Sequence, residues 1–429
     1  MREHTRRSFV ARTAGAVSGA ALLAAADLEA LAEGAEGCVT ASQADDLGKD
    51  YYWRLVQGQF RLEPGLIYLN NASLGPSPAL VADATEAFRR QLDAFPSHYM
   101  WGGWSEEMEA VRSKAAALLG ASVEEIAIIH NTTEGMNLVA SSLALKPGDE
   151  VIVADHEHDS GTIPWQYWQE AKGVKLVRPT LPILPSEPGG IIDVYRRAIT
   201  SRTRVISMCH IVNTNGMILP VKEISEIARA RGILVAVDGA QAPGMINVDL
   251  HDLGCDYYAV SAHKWLLSPK GVGIFYARQE SQPLLKPLIV AHGWEDTSIR
   301  RLENYNTRNL PEVLGLGVAI DFQNLVGPER RRARILDLKE YLRDRIADDP
   351  AFAIKTPASD ELSCGITTVE VVGRDVREVA TALAESYRID CRPMTSHGLN
   401  GLRVSLSVFN SETQVDVLVD ALREAADSG

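Results

Sequence analysis

Between residues 126 and 277 short runs of consecutive apolar residues alternate with stretches of helical period, and this alternation limits the fold more than any other feature. Residues 233–237 are five apolar residues in a row. A strand with one wet face would alternate polar and apolar; a continuous run is what a strand buried on both faces looks like. Residues 126–129, 150–154, 174–177, 205–212, 257–260 and 274–277 read as further strands. Residues 136–145, 163–173 and 221–231 read as the helices between them, the last with Val221, Ile224, Ile227 and Ala228 on one face and Gly232 as its stop. Upstream, residues 78–91 and 106–119 have helical period, with Met108, Val111, Ala115 and Leu118 recurring in the second. Strands and helices in alternation predict an α/β domain on a mostly parallel sheet.

After about residue 310 the texture changes. A long charged helix over 328–346 is followed by a strand at 365–372, a helix at 376–387, a strand at 402–406 and a last helix from 411. This pattern predicts a smaller α+β domain over 310–429, with the large domain at 66–309 and a linker or arm at 33–65. The first 32 residues read as an export signal. Arg6 and Arg7 precede Ser8-Phe9-Val10, an Ala/Gly-rich run over 14–26 follows, and Ala30-Leu31-Ala32 offers a cleavage site. That run is too short to anchor in a bilayer, so the mature chain is expected outside the cytoplasmic membrane, exported by the twin-arginine route. A net charge of −13 gives no electrostatic case for nucleic acid or an anionic membrane surface. The five cysteines, Cys38, Cys209, Cys255, Cys364 and Cys391, form no CxxC and no metal-ligand spacing.

Ligands of open α/β sheets bind beyond the carboxyl ends of the strands, so the residues there are the candidates for chemistry. Lys264 lies on a turn between two apolar runs, flanked by His263 and Trp265. A lysine held there is costly unless it is used, because burial removes the water that favours its charge. An amine with a lowered pKa is a nucleophile that forms a Schiff base with a carbonyl, such as the aldehyde of pyridoxal phosphate. The bland alternative is a surface turn lysine. Asn131, Thr132, Thr133 and Gly135 open a helix after one strand, where hydroxyls and backbone N–H groups suit a phosphate; plain capping by threonine is the alternative. Asp238 and Gln241 follow residues 233–237, and a carboxylate there could hold a protonated pyridine nitrogen; a turn-forming aspartate is the alternative. Residues 155–160 carry His156, His158 and three acids, which would allow a metal site, but an aromatic stacked on a cofactor ring, His158, is the preferred reading. Asn213 and Thr214 end a further strand, placed to hydrogen-bond a phenolic oxygen. Five strand ends bearing complementary groups are together specific where each alone is weak.

These residues carry a resemblance to the class V aminotransferases, pyridoxal-phosphate-dependent enzymes of fold type I, nearest in texture to isopenicillin N epimerase-like members and cysteine desulfurases. It spans from about Leu66 to the last helix and rests on Asn131-Thr132-Thr133-Glu134-Gly135, Asp238-Gly239-Ala240-Gln241-Ala242, Ser261-Ala262-His263-Lys264-Trp265, Asn306-Thr307-Arg308, Arg403-Val404-Ser405-Leu406 and Phe409-Asn410. The resemblance implies that Lys264 links covalently to the cofactor and shuttles the Cα proton. It implies that Asp238 pairs with the pyridine nitrogen, Gln241 and Asn213 lie near the phenolic oxygen, and His158 stacks on the ring. Thr132, Thr133, Ser261 and His263 would hold the phosphate, and Thr307 would reach the phosphate of a second subunit in a homodimer. Arg403, with Asn70, would clamp a substrate carboxylate. The chain departs from the desulfurase pattern: the loop over 392–398 has no cysteine, and Asn306 stands where the family has glycine. The expected activity is chemistry at Cα of an amino acid, transamination or epimerisation; a C–S or β-elimination lyase is the alternative, and a non-catalytic cofactor binder a further one.

Overall fold

The computed structural model describes residues 44–427, so the expected export signal over 1–32 and the first part of the expected arm, residues 33–43, lie outside the described residues. Helix α1 (Ala44–Gln57) leads to the two-residue strand β1 (Ile67–Tyr68) and to helices α2 (Ala79–Ala94) and α3 (Ser105–Leu118). Strand β2 (Ile126–Ile129) and helix α4 (Thr132–Ser142) open the alternating part. It continues through β3 (Glu150–Val153), α5 (Asp159–Lys172), β4 (Lys175–Val177), α6 (Pro188–Ala198) and β5 (Thr203–Cys209). Helix α7 (Val221–Arg229) and strands β6 (Leu234–Asp238), β7 (Tyr257–Ser261) and β8 (Gly273–Ala277) complete it.

These seven strands form one sheet in the order β2-β8-β7-β6-β5-β3-β4. Only β8 runs antiparallel to its neighbours; the other pairings are parallel, as the continuous apolar runs predict. The side chains divide by the strand period of two. Ala127, Ile129, Val151, Val153, Ala236 and Phe275 pack on one face, and Ile126, Ile128, Ile152, Val235, Val237 and Ile274 on the other. Both faces are buried, so the sheet is a central layer with helices on either side. Register then levels the strand ends: Cys209 lies opposite Asp238, and Asp238 opposite Ala259.

Helix α8 (Leu310–Val326) packs on α2 and α3, so this almost wholly buried helix sits with the large sheet's helices although sequence texture groups it with the smaller unit. The C-terminal unit has α9 (Pro328–Ile346), β9 (Phe352–Ile354), β10 (Ile366–Val371), α10 (Val376–Tyr387) and β11 (Ile389–Asp390). Strands β12 (Arg392–Met394) and β13 (Gly401–Ser405) and helix α11 (Glu412–Asp427) end the chain. Its sheet runs β12-β13-β10-β9, all antiparallel, over a core of its own. β1 pairs in parallel with β11, and Asn70 bridges to Ser405, so the segment before the large sheet is stitched to the smaller unit.

Two helices begin earlier than their apolar period predicts. α4 starts at Thr132 because the Asn131 side chain accepts from Glu134 N at 3.0 Å. α5 starts at Asp159, capped by His158, whose Nδ1 accepts from Ser160 N at 3.1 Å.

Candidate active site

The turn after β7 is tied from inside and outside. Lys264 N donates to Ser261 O at 3.2 Å and Ser268 N to Ala262 O at 3.2 Å. Gly75 N donates to His263 O at 2.8 Å, and a Cβ on Gly75 would stand 2.0 Å from the Lys264 carbonyl oxygen. Only glycine allows residues 70–75 to lie this close to the turn. The Lys264 side chain is half-buried and opens on a cleft. Burial pushes its pKa down to about 8, with Arg403 and Arg392 adding to the depression and Asp238 opposing it. The surface-lysine alternative therefore fails: near neutrality a usable fraction of this amine is unprotonated, as a nucleophile needs to be.

One end of the cleft is built of donors. Thr132 N donates to Ser261 Oγ at 3.1 Å, and the Ser261 hydroxyl donates to Thr132 Oγ1 at 3.0 Å. These groups crowd at the N-terminus of α4, with Thr133 exposed beside them. A Cβ on Gly135 would meet the Ala259 side chain at 2.6 Å, so its absence lets the helix start press onto β7. His263 is neutral: burial first, then Lys264 and Lys270, push its pKa down to about 4. Its Nδ1 is buried without a partner among the described residues. The positive end of a helix, two hydroxyls and an orphan imidazole nitrogen fit a phosphate.

The other end holds a carboxylate. Asp238 is buried; its Oδ2 accepts from Ser160 Oγ at 3.0 Å and its Oδ1 from Ala240 N at 3.0 Å. His158 Nδ1 sits 2.7 Å from the same Ser160 hydroxyl, and the His158 ring is exposed to the cleft, where a ring could stack on it. Glu157 lies deeper, and burial pushes its pKa up to about 8. It holds a proton at neutral pH, and the Asp238 carboxylate beside it adds to that upward push. Gln241 is more committed than expected: its Nε2 donates to Ala72 O at 2.9 Å and its Oε1 accepts from Trp265 Nε1 at 2.7 Å. It pins the 70–75 segment to the lysine turn, with one amide N–H left over for a phenolic oxygen. Asn213 is half-buried and its carbonyl accepts from Arg403 Nη1 at 3.0 Å.

Arg403, on β13, is buried, with Nη2 bonded to Asn70 Oδ1 at 3.1 Å and to Ser73 Oγ at 2.6 Å. Its Nε is buried without a partner, and no carboxylate pairs with it among the described residues. Burial, then Arg392, pushes its pKa down to about 10. A guanidinium held by neutral acceptors alone is poorly compensated for its lost hydration, and a visiting carboxylate would compensate it. Asn70 faces Arg403, its other amide end donating to Asp390 at 3.2 Å, so it orients the arginine.

Thr307 is exposed and lies apart from these contacts, and Asn306 beside it has φ of 62°. That left-handed backbone suits the family's glycine and is one asparagine tolerates. His156 faces away from the metal reading: its Nδ1 meets Thr214 Oγ1 at 3.1 Å and its ring lies 4.7 Å from that of His397. No cluster of three metal-ligating side chains occurs among the described residues. Sequence reasoning missed Ser73, in a turn, and Ser160, in the first turn of α5, small hydroxyls with no pattern of their own; only the fold brings them to Arg403 and Asp238.

A half-buried lysine at a strand-end turn, with a phosphate cradle on one side and a carboxylate on the other, defines a pyridoxal-phosphate enzyme of fold type I. The chain belongs to the family described as Aminotransferase class-V, whose profile matches residues 67–418. It is 34% identical over 387 residues to isopenicillin N epimerase of Streptomyces clavuligerus, covering 86% of this chain and 97% of that protein. It is 31% identical over 388 residues to cysteine desulfurase of Serratia proteamaculans, covering 83% and 93%. Among solved structures, a cysteine desulfurase from Escherichia coli superposes with a TM-score of 0.75 at 26% identity, over 87% of this chain and 98% of that one. The cofactor is pyridoxal 5′-phosphate, and the orphan donors and the lowered lysine pKa fit it.

Proposed function

We propose that this chain catalyses chemistry at the Cα of an amino acid, epimerisation or transamination. The observation that carries this is the pairing of two groups in one cleft: an amine whose pKa is pushed down to about 8 and a buried arginine with no acid partner among the described residues. Arg403 takes the substrate carboxylate in a bidentate grip and so fixes the Cα–H bond in space. Lys264 Nζ removes the Cα proton and returns it. Pyridoxal phosphate, when bound, supplies the electron sink that makes this proton acidic. Asp238, oriented by the Ser160 hydroxyl and the Ala240 N–H, keeps a positive charge at the pyridine nitrogen favourable. Thr132, Thr133, Ser261 and His263 bind the phosphate, and His158 and Asn213 meet the ring.

A lyase outcome begins with the same proton removal, and the desulfurase relatives favour considering it. Against the persulfide-forming version stands the 392–398 segment, which has no cysteine, and Cys391, a buried thiol whose pKa burial pushes up. The proposal extends to a homodimer, with Thr307 reaching the partner's phosphate site, and to export by the twin-arginine route.

The purified protein should absorb visible light after incubation with pyridoxal phosphate, and borohydride should fix the cofactor on Lys264. In heavy water a panel of amino acids should exchange the Cα proton; Lys264→Ala should abolish exchange. Fixation on another lysine, or silence across the panel, would sink the reading.

A further inference from the structure

Ser160 stands between two groups of the cleft, and its hydroxyl has one proton to give. Its Oγ lies 3.0 Å from Asp238 Oδ2 and 2.7 Å from His158 Nδ1. Asp238 Oδ2 has no other donor among the described residues. A carboxylate is a stronger acceptor than a neutral imidazole nitrogen, so the serine proton points at Asp238. Oγ then turns its lone pairs toward His158, where 2.7 Å suits a hydrogen bond when Nδ1 carries a proton. The backbone of Ser160 asks the opposite: its N–H donates to the same Nδ1 at 3.1 Å and needs a lone pair there.

His158 Nδ1 therefore has a partner in either protonation state. Neutral, it accepts from Ser160 N and caps α5. Protonated, it gives up the cap and donates to Ser160 Oγ, which donates in turn to Asp238; no proton leaves its atom in this chain of two bonds. The charged groups around His158 come from four elements. Asp238 on β6 and Asp159 on α5 favour the imidazolium, while Lys264 on the turn after β7 and Arg392 on β12 disfavour it. Burial, the largest influence, holds the pKa below the ordinary histidine value. Of the four charges, Asp238 alone is joined to the imidazole through a hydrogen-bonded side chain among the described residues. Ser160 is buried, so water does not take its place.

We infer that Ser160 is a positioning residue whose hydroxyl couples His158 to Asp238, so that the imidazole facing the cleft gains a proton at Nδ1 when Asp238 is free to share its charge and loses it when a cation occupies Asp238. The inference rests on the cofactor reading above and adds a linkage to it. A protonated pyridine nitrogen on Asp238 and a proton on His158 oppose one another, and the opposition is reciprocal. Loading the cofactor then leaves His158 neutral, its Nδ1 held by the α5 cap and its proton on Nε2.

The test follows the His158 ring by NMR against pH in the whole chain, with and without pyridoxal phosphate, the signal identified by its loss in His158→Gln. Ser160→Ala keeps the backbone N–H that caps α5 and removes only the acceptor of the protonated form, so the His158 midpoint should shift down. Ser160→Thr keeps the hydroxyl and should restore it. Asp238→Asn should also shift the midpoint down, and by less in the Ser160→Ala background than in the unaltered chain. Cofactor loading should lower the midpoint of the unaltered chain, and again by less in Ser160→Ala. Should Ser160→Ala fail to fold, Ser160→Gly, which also lacks the hydroxyl, makes the same comparison. An unchanged or raised midpoint in the variant without the hydroxyl, with or without a fall in unfolding temperature, would overturn the inference, as would equal Asp238→Asn shifts in both backgrounds. A chain that never takes up the cofactor would instead defeat the broader proposal and leave the cofactor-free comparisons standing, so the two failures are distinct.

Discussion

Lys264 is where the chemistry of single residues is decided. The amine competes with its own proton, and three neighbours set the outcome after burial: Asp238 favours the proton, Arg403 and Arg392 disfavour it. The rate at which the cofactor-free chain captures pyridoxal phosphate should rise about tenfold per pH unit below 8 and flatten above it, because only the neutral amine attacks. The sign of the neighbour effect is also fixed. Removing a cation relieves the protonated amine, so Arg403→Ala should move that midpoint upward; Asp238→Asn removes the anion and should move it downward. Stopped-flow absorbance against pH measures both. A midpoint left in place by Arg403→Ala would mean that the arginine's charge does not reach the lysine.

Most elements follow from apolar period, and those that do not are set by side-chain capping or by tertiary contact. The strand at Ile126–Ile129 and the helices Pro328–Ile346 and Val376–Tyr387 have the expected bounds. α4 and α5 gain a first turn that is polar, and there a cap replaces hydrophobic period as the helix-starting force. α6 was not expected, since its Gly-Gly start hides a face of only two buried residues, Ile191 and Tyr195. The lysine turn, Asp238 and the α4 start were legible because chemistry at strand ends leaves unusual residues in a row. The support given by residues 70–75 was not, because a contact across 189 positions, from Gly75 to Lys264, has no local pattern. That contact is testable. Gly75→Ala should cost about 1–3 kcal/mol in urea unfolding, as overpacking does, and should weaken cofactor retention. Ordinary stability with unchanged retention would show that the segment can back away from the turn.

At the scale of the whole molecule, the cleft lies where the large sheet's strand ends meet the C-terminal unit: Lys264 and Asp238 come from one, Arg392 and Arg403 from the other. β1, paired with β11, and the 70–75 segment beyond it join the two. Thr307, an expected cofactor ligand, is exposed and stands outside this arrangement. Exposed apolar side chains also gather in two stretches, Phe95 and Trp101 in one, Leu284, Leu288, Ile289, Val290 and Trp294 in the other, more than single scattered residues would need. Both facts fit a homodimer in which each Thr307 serves the other subunit. Such sharing has a consequence that no monomer can imitate. Lys264→Ala lacks the amine, and Thr307→Glu sets a carboxylate against the phosphate; each alone should be inactive. In a mixed dimer the defects fall together on one site, so the other has an intact Lys264 from one chain and an intact Thr307 from the other. Co-refolding the two variants should therefore restore activity, toward one working site per mixed dimer. Failure to complement, in a mixture shown by mass to contain the mixed species, would place Thr307 in its own subunit's site or in none.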